Sequence, residues 1–149
     1  MEIAEIKYEV KKAGTHEILE HLRSCDQNFI PPLSQRVNLI DYSKKLYDKA
    51  TTFEAWDNKK LAGMIAAYLN DHETKFGYIT SVSLLNEYQR TGIATELLRH
   101  CIEYARGNSF KKISLELDRR NMDALRLYLK YNFEIYDTKG EQVFMVLKF

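Results

Sequence analysis

The stretch Asn86–His100, NEYQRTGIATELLRH, decides how this chain is read, because a lone glycine, Gly92, joins a polar run to a strongly amphipathic segment. From Gly92 onward, Ile93, Leu97, Leu98, Cys101, Ile102 and Ala105 form one apolar stripe, while Glu96, Arg99, His100 and Glu103 face away. The spacing predicts a helix packed on a sheet, with its first turn at the end of the apolar strand Tyr78–Leu84. The first turn of a helix leaves N–H donors without partners, at the positive end of its dipole, so it can hold an anion with backbone groups alone. Gly92, with Ala94 two residues on, removes the bulk that would keep an anion away and permits a turn that gathers several N–H groups. Gln89, Arg90 and Thr91 add side-chain donors. A diphosphate fits this pattern, and a glycine tolerated for local backbone reasons fits it too. The stretch is neither G-x-G-x-x-G nor a loop ending in Gly-Lys-Ser/Thr, which removes the main support for a dinucleotide or nucleoside-triphosphate site.

With 45% hydrophobic and 29% charged side chains, the 149 residues have ordinary globular composition and enough length for one core. No repeat, low-complexity tract or Pro/Gly/Ser-rich linker divides the chain, so one domain over 1–149 is expected. Lys and Arg number 22 against 21 Asp and Glu, a net charge of +1, so neither a nucleic acid nor a membrane surface is indicated as partner. Anion recognition must then be local. Cys25 and Cys101 lack C-x-x-C spacing and read as reduced thiols. The start, MEIAEIKYEVKKAG, carries early acids and no apolar leader core, and no window reaches the length of a membrane span, so a cytoplasmic location is the expectation. His16, His21, His72 and His100 show no metal-ligand spacing and sit in polar contexts, so no metal is expected.

Outward from the central stretch, Glu5–Lys11 alternates Ile6, Tyr8 and Val10 with charges and reads as a strand. THEILEHLRSCDQNF supplies an N-cap at Thr15 and helical apolar positions at Ile18, Leu19 and Leu22. Pro31-Pro32 opens the loop IPPLSQRVN, followed by a weaker helical stretch over Leu39–Tyr47. Two strands flank a turn around Asp57-Asn58, and FGYITSVSLL reads as a long, mostly apolar strand. KKISLEL is a strand, NMDALRLYLKYN a short helix, and FEIYDTKGEQVFMVLKF a closing hairpin turning near Gly140. The order β-α-α-β-β-β-α-β-α-β-β predicts a mixed α/β sheet with helices on both faces. Val143, Phe144, Val146 and Leu147 in the hairpin suit either a sheet edge buried within one chain or a dimer contact, so monomer and homodimer both stand.

QRTGIA resembles the Gln/Arg-x-x-Gly-x-Gly/Ala pyrophosphate loop of the GNAT superfamily of N-acetyltransferases, and like it follows an apolar strand. LELDRRNMDALRLYLKYNFE resembles that family's second hallmark, in which Leu-Glu-Val, Asn, Ala, Leu-Tyr and Gly-Phe follow at fixed intervals. The likeness is good over Ile79–Phe133 and looser across the whole chain. It implies a single-domain, mostly antiparallel mixed sheet in which a central strand pair splays apart. Acetyl-CoA would lie in the splay as co-substrate, and the amine acceptor would enter from the other side. Gln89, Arg90, Thr91, Gly92, Ile93, Ala94 and Thr95 would hold the pyrophosphate. Val82 and Leu84 would pair with the pantetheine arm, and backbone N–H groups around Ser83, Leu84 and Leu85 would polarise the acetyl oxygen. Two departures are visible: Asn132 stands where glycine precedes Phe133, and Thr91 replaces an often basic position. Asn tolerates the left-handed turn, so the turn should survive.

Transfer of an acetyl group to an amine needs a base for the ammonium and a proton for the departing thiolate. Glu116 has opposite strand parity to Ile113, Leu115 and Leu117, so its carboxylate lies on the other face. By resemblance to ribosomal-protein N-terminal acetyltransferases it is the base, directly or through water; a solvated strand carboxylate is the competing reading. Tyr128 falls where the resemblance puts the general acid, although a core tyrosine sharing a helical face with Ala124, Leu127 and Tyr131 is the plainer alternative. Asn121 reads as the N-cap of that helix, and the resemblance adds a hydrogen bond to the pantetheine. The acceptor, a small-molecule or peptide amine, would be lined by the first helices, the loop FIPPLSQRVN, Trp56, Tyr68 and Tyr78. Asp41, Glu54 and Asp57 suit either attraction of an ammonium or a surface position. The reading is an acetyl-CoA-dependent N-acetyltransferase working by direct attack in a ternary complex; a non-catalytic acyl-CoA sensor or interaction module of the same fold is the alternative.

Overall fold

Strands β2 (Thr51–Asp57) and β3 (Lys60–Tyr68) are buried along nearly their whole length, which requires cover on both faces of the sheet they share. The computed structural model describes residues 5–149, and residues 1–4, part of the start in which no leader is read, lie outside them. The remaining elements are β1 (Lys7–Val10), α1 (Thr15–Cys25), α2 (Leu39–Lys49), β4 (Phe76–Leu84), α3 (Ile93–Gly107), β5 (Lys112–Asp118), α4 (Met122–Lys130), β6 (Glu134–Lys139) and β7 (Gln142–Lys148), in the order read from the sequence. One seven-stranded sheet runs β1-β2-β3-β4-β5-β7-β6, and only the β4–β5 pair is parallel.

All six residues of the predicted α3 stripe are buried. They join Phe53, Ala55, Ile65, Ile113, Leu115 and Met145 in the larger apolar cluster, against which Ala124 and Leu127 of α4 also pack. On the opposite face, Ile18, Leu22 and Leu46 of α1 and α2 pack on Trp56, Met64 and Ala66. Thus α3 and α4 share one face, while α1 and α2 cover the other.

Three local readings shift. Helix α1 is capped at Gly14 rather than Thr15, because the Glu17 carboxylate accepts the Gly14 N–H at 2.9 Å and no side-chain acceptor is needed at the cap itself. β1 is shorter than Glu5–Lys11: Lys11 takes a φ of 56° and ends it, and Val10 at the sheet edge is 44% exposed. The β2–β3 turn is Asn58-Lys59, one residue later than expected, since Asp57 pairs with Lys60. Asn132 adopts φ 73°, the left-handed turn expected of it, and the Phe133 N–H closes onto the Tyr128 carbonyl at 3.0 Å.

Candidate active site where the central strands part

β4 and β5 pair over only three positions, Phe76 with Lys112, Gly77 with Ile113 and Tyr78 with Ser114, after which β4 runs on to Leu84 with no partner on that side. β5 stays paired with β7 as far as Asp118 and Gln142. The departure begins at a bulge, where Ser81 faces Ala66 but Ile79 faces Ala67, so Thr80 is an extra residue that bends β4. Past the bulge, Leu85 donates its N–H to the Ala62 carbonyl at 2.9 Å. By strand alternation, Ser83 also points its N–H at β3, and Val82 and Leu84 turn theirs toward the parting. Of the three N–H groups expected to polarise an acyl oxygen, Leu84 therefore remains, while Leu85 is occupied within the sheet.

On the α3/α4 side the parting opens into a cavity of about 760 Å³. Of the predicted cofactor residues, Val82, Leu84, Gln89, Arg90, Gly92, Ala94, Thr95 and Asn121 line it. Two do not. The Thr91 hydroxyl is spent on the Tyr88 carbonyl, and the Ile93 side chain is 3% exposed in the core, so each offers the cavity only its backbone. Gly92 has φ 87° and Arg90 φ 62°, a pair of left-handed residues that turns successive N–H groups to one side immediately before α3. A Cβ on Gly92 would meet nothing within 4 Å, so the protein itself leaves the space beside this turn open. Arg126 and Lys130, one helical turn apart on α4, bring positive charge to the same cavity, against the carboxylate of Asp123. Sequence reading passed over both because they look like ordinary solvated helix residues. This donor set fits a polyanion such as the phosphates of coenzyme A.

Tyr128, 5% exposed, stands where this cavity meets a second one of about 240 Å³ on the α1/α2 side. Burial, with a smaller contribution from Cys101, pushes its phenol well above the usual range. Burial also pushes the Cys101 thiol up to about 12. Asn121 caps α4, its Oδ1 accepting the Ala124 N–H at 3.4 Å, and its side chain also borders the cavities.

Glu116 lies on the face opposite Leu115 and Leu117, exposed to the second cavity. The Tyr78 phenol is raised to about 12 by burial and by the Glu116 carboxylate beside it. Asp118 also reaches this cavity, but Arg120 grips it at 2.8 and 2.6 Å and holds it down to about 2. The loop read as an acceptor wall does line it, through Phe29, Ile30, Leu33, Arg36 and Val37, and Tyr42 joins from α2 with its hydroxyl on Thr80.

Other expected acceptor residues lie elsewhere. Glu54 is fully buried, accepting from the Lys12 and Ala13 N–H groups, the Thr52 hydroxyl and the Trp56 indole, so it ties β2 to the start of α1 and meets no substrate. Trp56 belongs to the α1/α2 core, and Asp57 accepts from the Tyr88 hydroxyl at 2.5 Å. Tyr68 packs against the same core and does not line the cavity. His21, read as sitting in a polar context, is 4% exposed: its Nδ1 lies 2.9 Å from the Leu61 carbonyl and its Nε2 2.9 Å from the Ser83 hydroxyl. A carbonyl can only accept, so Nδ1 carries the proton and Ser83 donates to Nε2. Burial lowers its pKa to about 4.

Tyr128 thus lies in the walls of both cavities. The chain belongs to the Acetyltransferase (GNAT) family, whose pattern matches residues 15–133. It is 30% identical over 111 residues to the probable N-acetyltransferase san of Drosophila melanogaster, covering 68% of this chain and 59% of that protein. The N-alpha-acetyltransferase MAK3 of Arabidopsis thaliana is 29% identical over 130 residues, 87% of this chain and 66% of the relative. This chain thus spans about three fifths to two thirds of those two proteins. Among solved structures, PaiA N-acetyltransferase of Thermoplasma acidophilum, in complex with coenzyme A, superposes with TM-score 0.75 at 17% identity, covering 96% of this chain and 99% of the other. The ribosomal-protein-S18-alanine N-acetyltransferase of Escherichia coli gives 0.75 at 16%, covering 95% and 94%. At these identities the likeness is one of fold. Among the described residues no helix is long and apolar enough to cross a membrane, and no group of three or more His, Cys, Asp and Glu is placed to hold a metal.

Proposed function

We propose that the chain, acting as one domain over 1–149, moves an acetyl group from acetyl-CoA to a primary amine by direct attack while both are bound. The observation that carries this is the position of Tyr128 between a cavity of polyanion-binding donors and a second cavity holding a free carboxylate. Acetyl-CoA would supply an activated acetyl thioester. The α3 N-terminus with Gln89, Arg90 and Thr95 would hold its phosphates, and the turned-out N–H groups of Val82 and Leu84 would bind the extended arm as an edge strand binds a partner. The Leu84 N–H would meet the acetyl oxygen. Glu116 would take a proton from the ammonium, directly or through a water, and Tyr128 Oη would give its proton to the departing sulfur.

Steady-state thiol release with an accepted amine tests this. Tyr128→Phe should lower kcat by roughly tenfold to a thousandfold, with acetyl-CoA affinity within about twofold of wild type. Parallel loss of affinity and turnover would make Tyr128 a packing residue and remove the general-acid role.

A further inference from the structure

We propose that the acceptor is a small amine that also bears a carboxylate, and that Arg36 binds this second group; the inference rests on the reading of the second cavity as the acceptor site. Glu116 is the carboxylate there without a basic partner, because Asp118 is held by Arg120. Facing it from the loop between α1 and α2, Arg36 makes no ion pair among the described residues. Its guanidinium is close enough to the Tyr42 and Tyr78 phenols to offset part of the rise that burial imposes on them.

Ser81 adds a polar group to this wall: it is 4% exposed, it lines the cavity, and its hydroxyl, close to the Tyr42 phenol, meets no partner at full hydrogen-bond geometry. A buried hydroxyl without a well-formed hydrogen bond is destabilising, and a bound polar group would relieve it. The cavity therefore offers one negative group for an ammonium, one positive group for an anion, and a hydroxyl beside them. Phe29, Ile30, Leu33 and Val37 supply an apolar wall.

A polyamine would set several ammonium groups against a single free carboxylate and an unpaired guanidinium. At about 240 Å³ the space has room for a group of amino-acid size. An apolar amino acid matches every feature: amine toward Glu116 and Tyr128, carboxylate toward Arg36, side chain on the loop wall.

The test compares acids with their amides, which keep the amine and side chain and lose only the charge. Leucine, methionine and phenylalanine are assayed for turnover beside their amides. The N-acetyl acids and N-acetyl amides are titrated into CoA-saturated protein, a readout that needs no reaction. At least one acid should exceed its amide by about tenfold or more in both, the scale of one charge-assisted hydrogen bond. Arg36→Ala should bring that ratio near one, and Arg36→Lys should keep part of it. Equal binding of acids and amides, a ratio that survives in Arg36→Ala, or a preference for peptides or spermidine would overturn the proposal. Acid-selective binding with no turnover of any amine would leave carboxylate recognition standing and remove the proposed reaction.

Discussion

Glu116 is left as the carboxylate of the second cavity without a basic partner because Arg120 holds Asp118, and the expected Asp57 and Glu54 lie outside that cavity. Asp118 answers Arg120, Asp57 answers Tyr88, and Glu54 is enclosed by four donors. Strand parity made the facing of Glu116 legible, since a period of two places it opposite Leu115 and Leu117 whatever the fold. Parity says nothing of neighbours, and the phenol of Tyr78 at its side comes from a strand 38 positions earlier. Removing the charge while keeping the shape should separate the roles. Glu116→Gln should reduce kcat/KM for the amine by about a hundredfold to ten-thousandfold, with acetyl-CoA binding unchanged. Turnover near the wild-type value in stopped-time assays would make Glu116 a bystander.

β4 is the element on which the site depends, and its two sides answer to different partners. Toward β3 it is paired from Tyr78 to Leu84 except at Thr80; toward β5 it has no strand partner from Ile79 on, past the point where Thr80 is inserted and the strand bends. Its apolar pattern announced a strand but not a bulge, since nothing in Thr80, between Ile79 and Ser81, marks it as the extra residue. His21 braces the free stretch from α1 by accepting from Ser83 and donating to Leu61, and only the neutral ring can do this. With an unfolded pKa of about 6.5 and a folded value of about 4, the unfolded chain takes up a proton that the fold refuses. Stability should therefore be full above about pH 7 and fall as pH drops from about 6.5 to about 4. Urea unfolding at pH 7.5 and pH 5 should show about 2 kcal/mol from this group, absent in His21→Gln. The same pH dependence in the variant would assign it to other side chains.

Across the whole molecule, α1 and α2 pack on β2 and β3, while Glu116 of β5 stays exposed to the second cavity. The order of elements, the two-faced burial of β2 and β3 and the α3 stripe were legible because hydrophobic period and turn residues are local signals. The turn before α3 was legible through Gly92, whose φ of 87° lies where glycine is favoured. Arg36, Arg126 and Lys130 were not, because a surface cation carries no sign of the cavity it faces until the chain is folded. The proposed seat of acetyl-CoA, the parting of β4 and β5 with the α3 N-terminus, is tested by calorimetric titration of acetyl-CoA into the wild type and Gly92→Trp. Micromolar binding, about −8 kcal/mol, is predicted for the wild type, and loss of at least about a hundredfold for the variant, with unchanged circular dichroism. No binding to the wild type, or equal binding to both proteins, would contradict it.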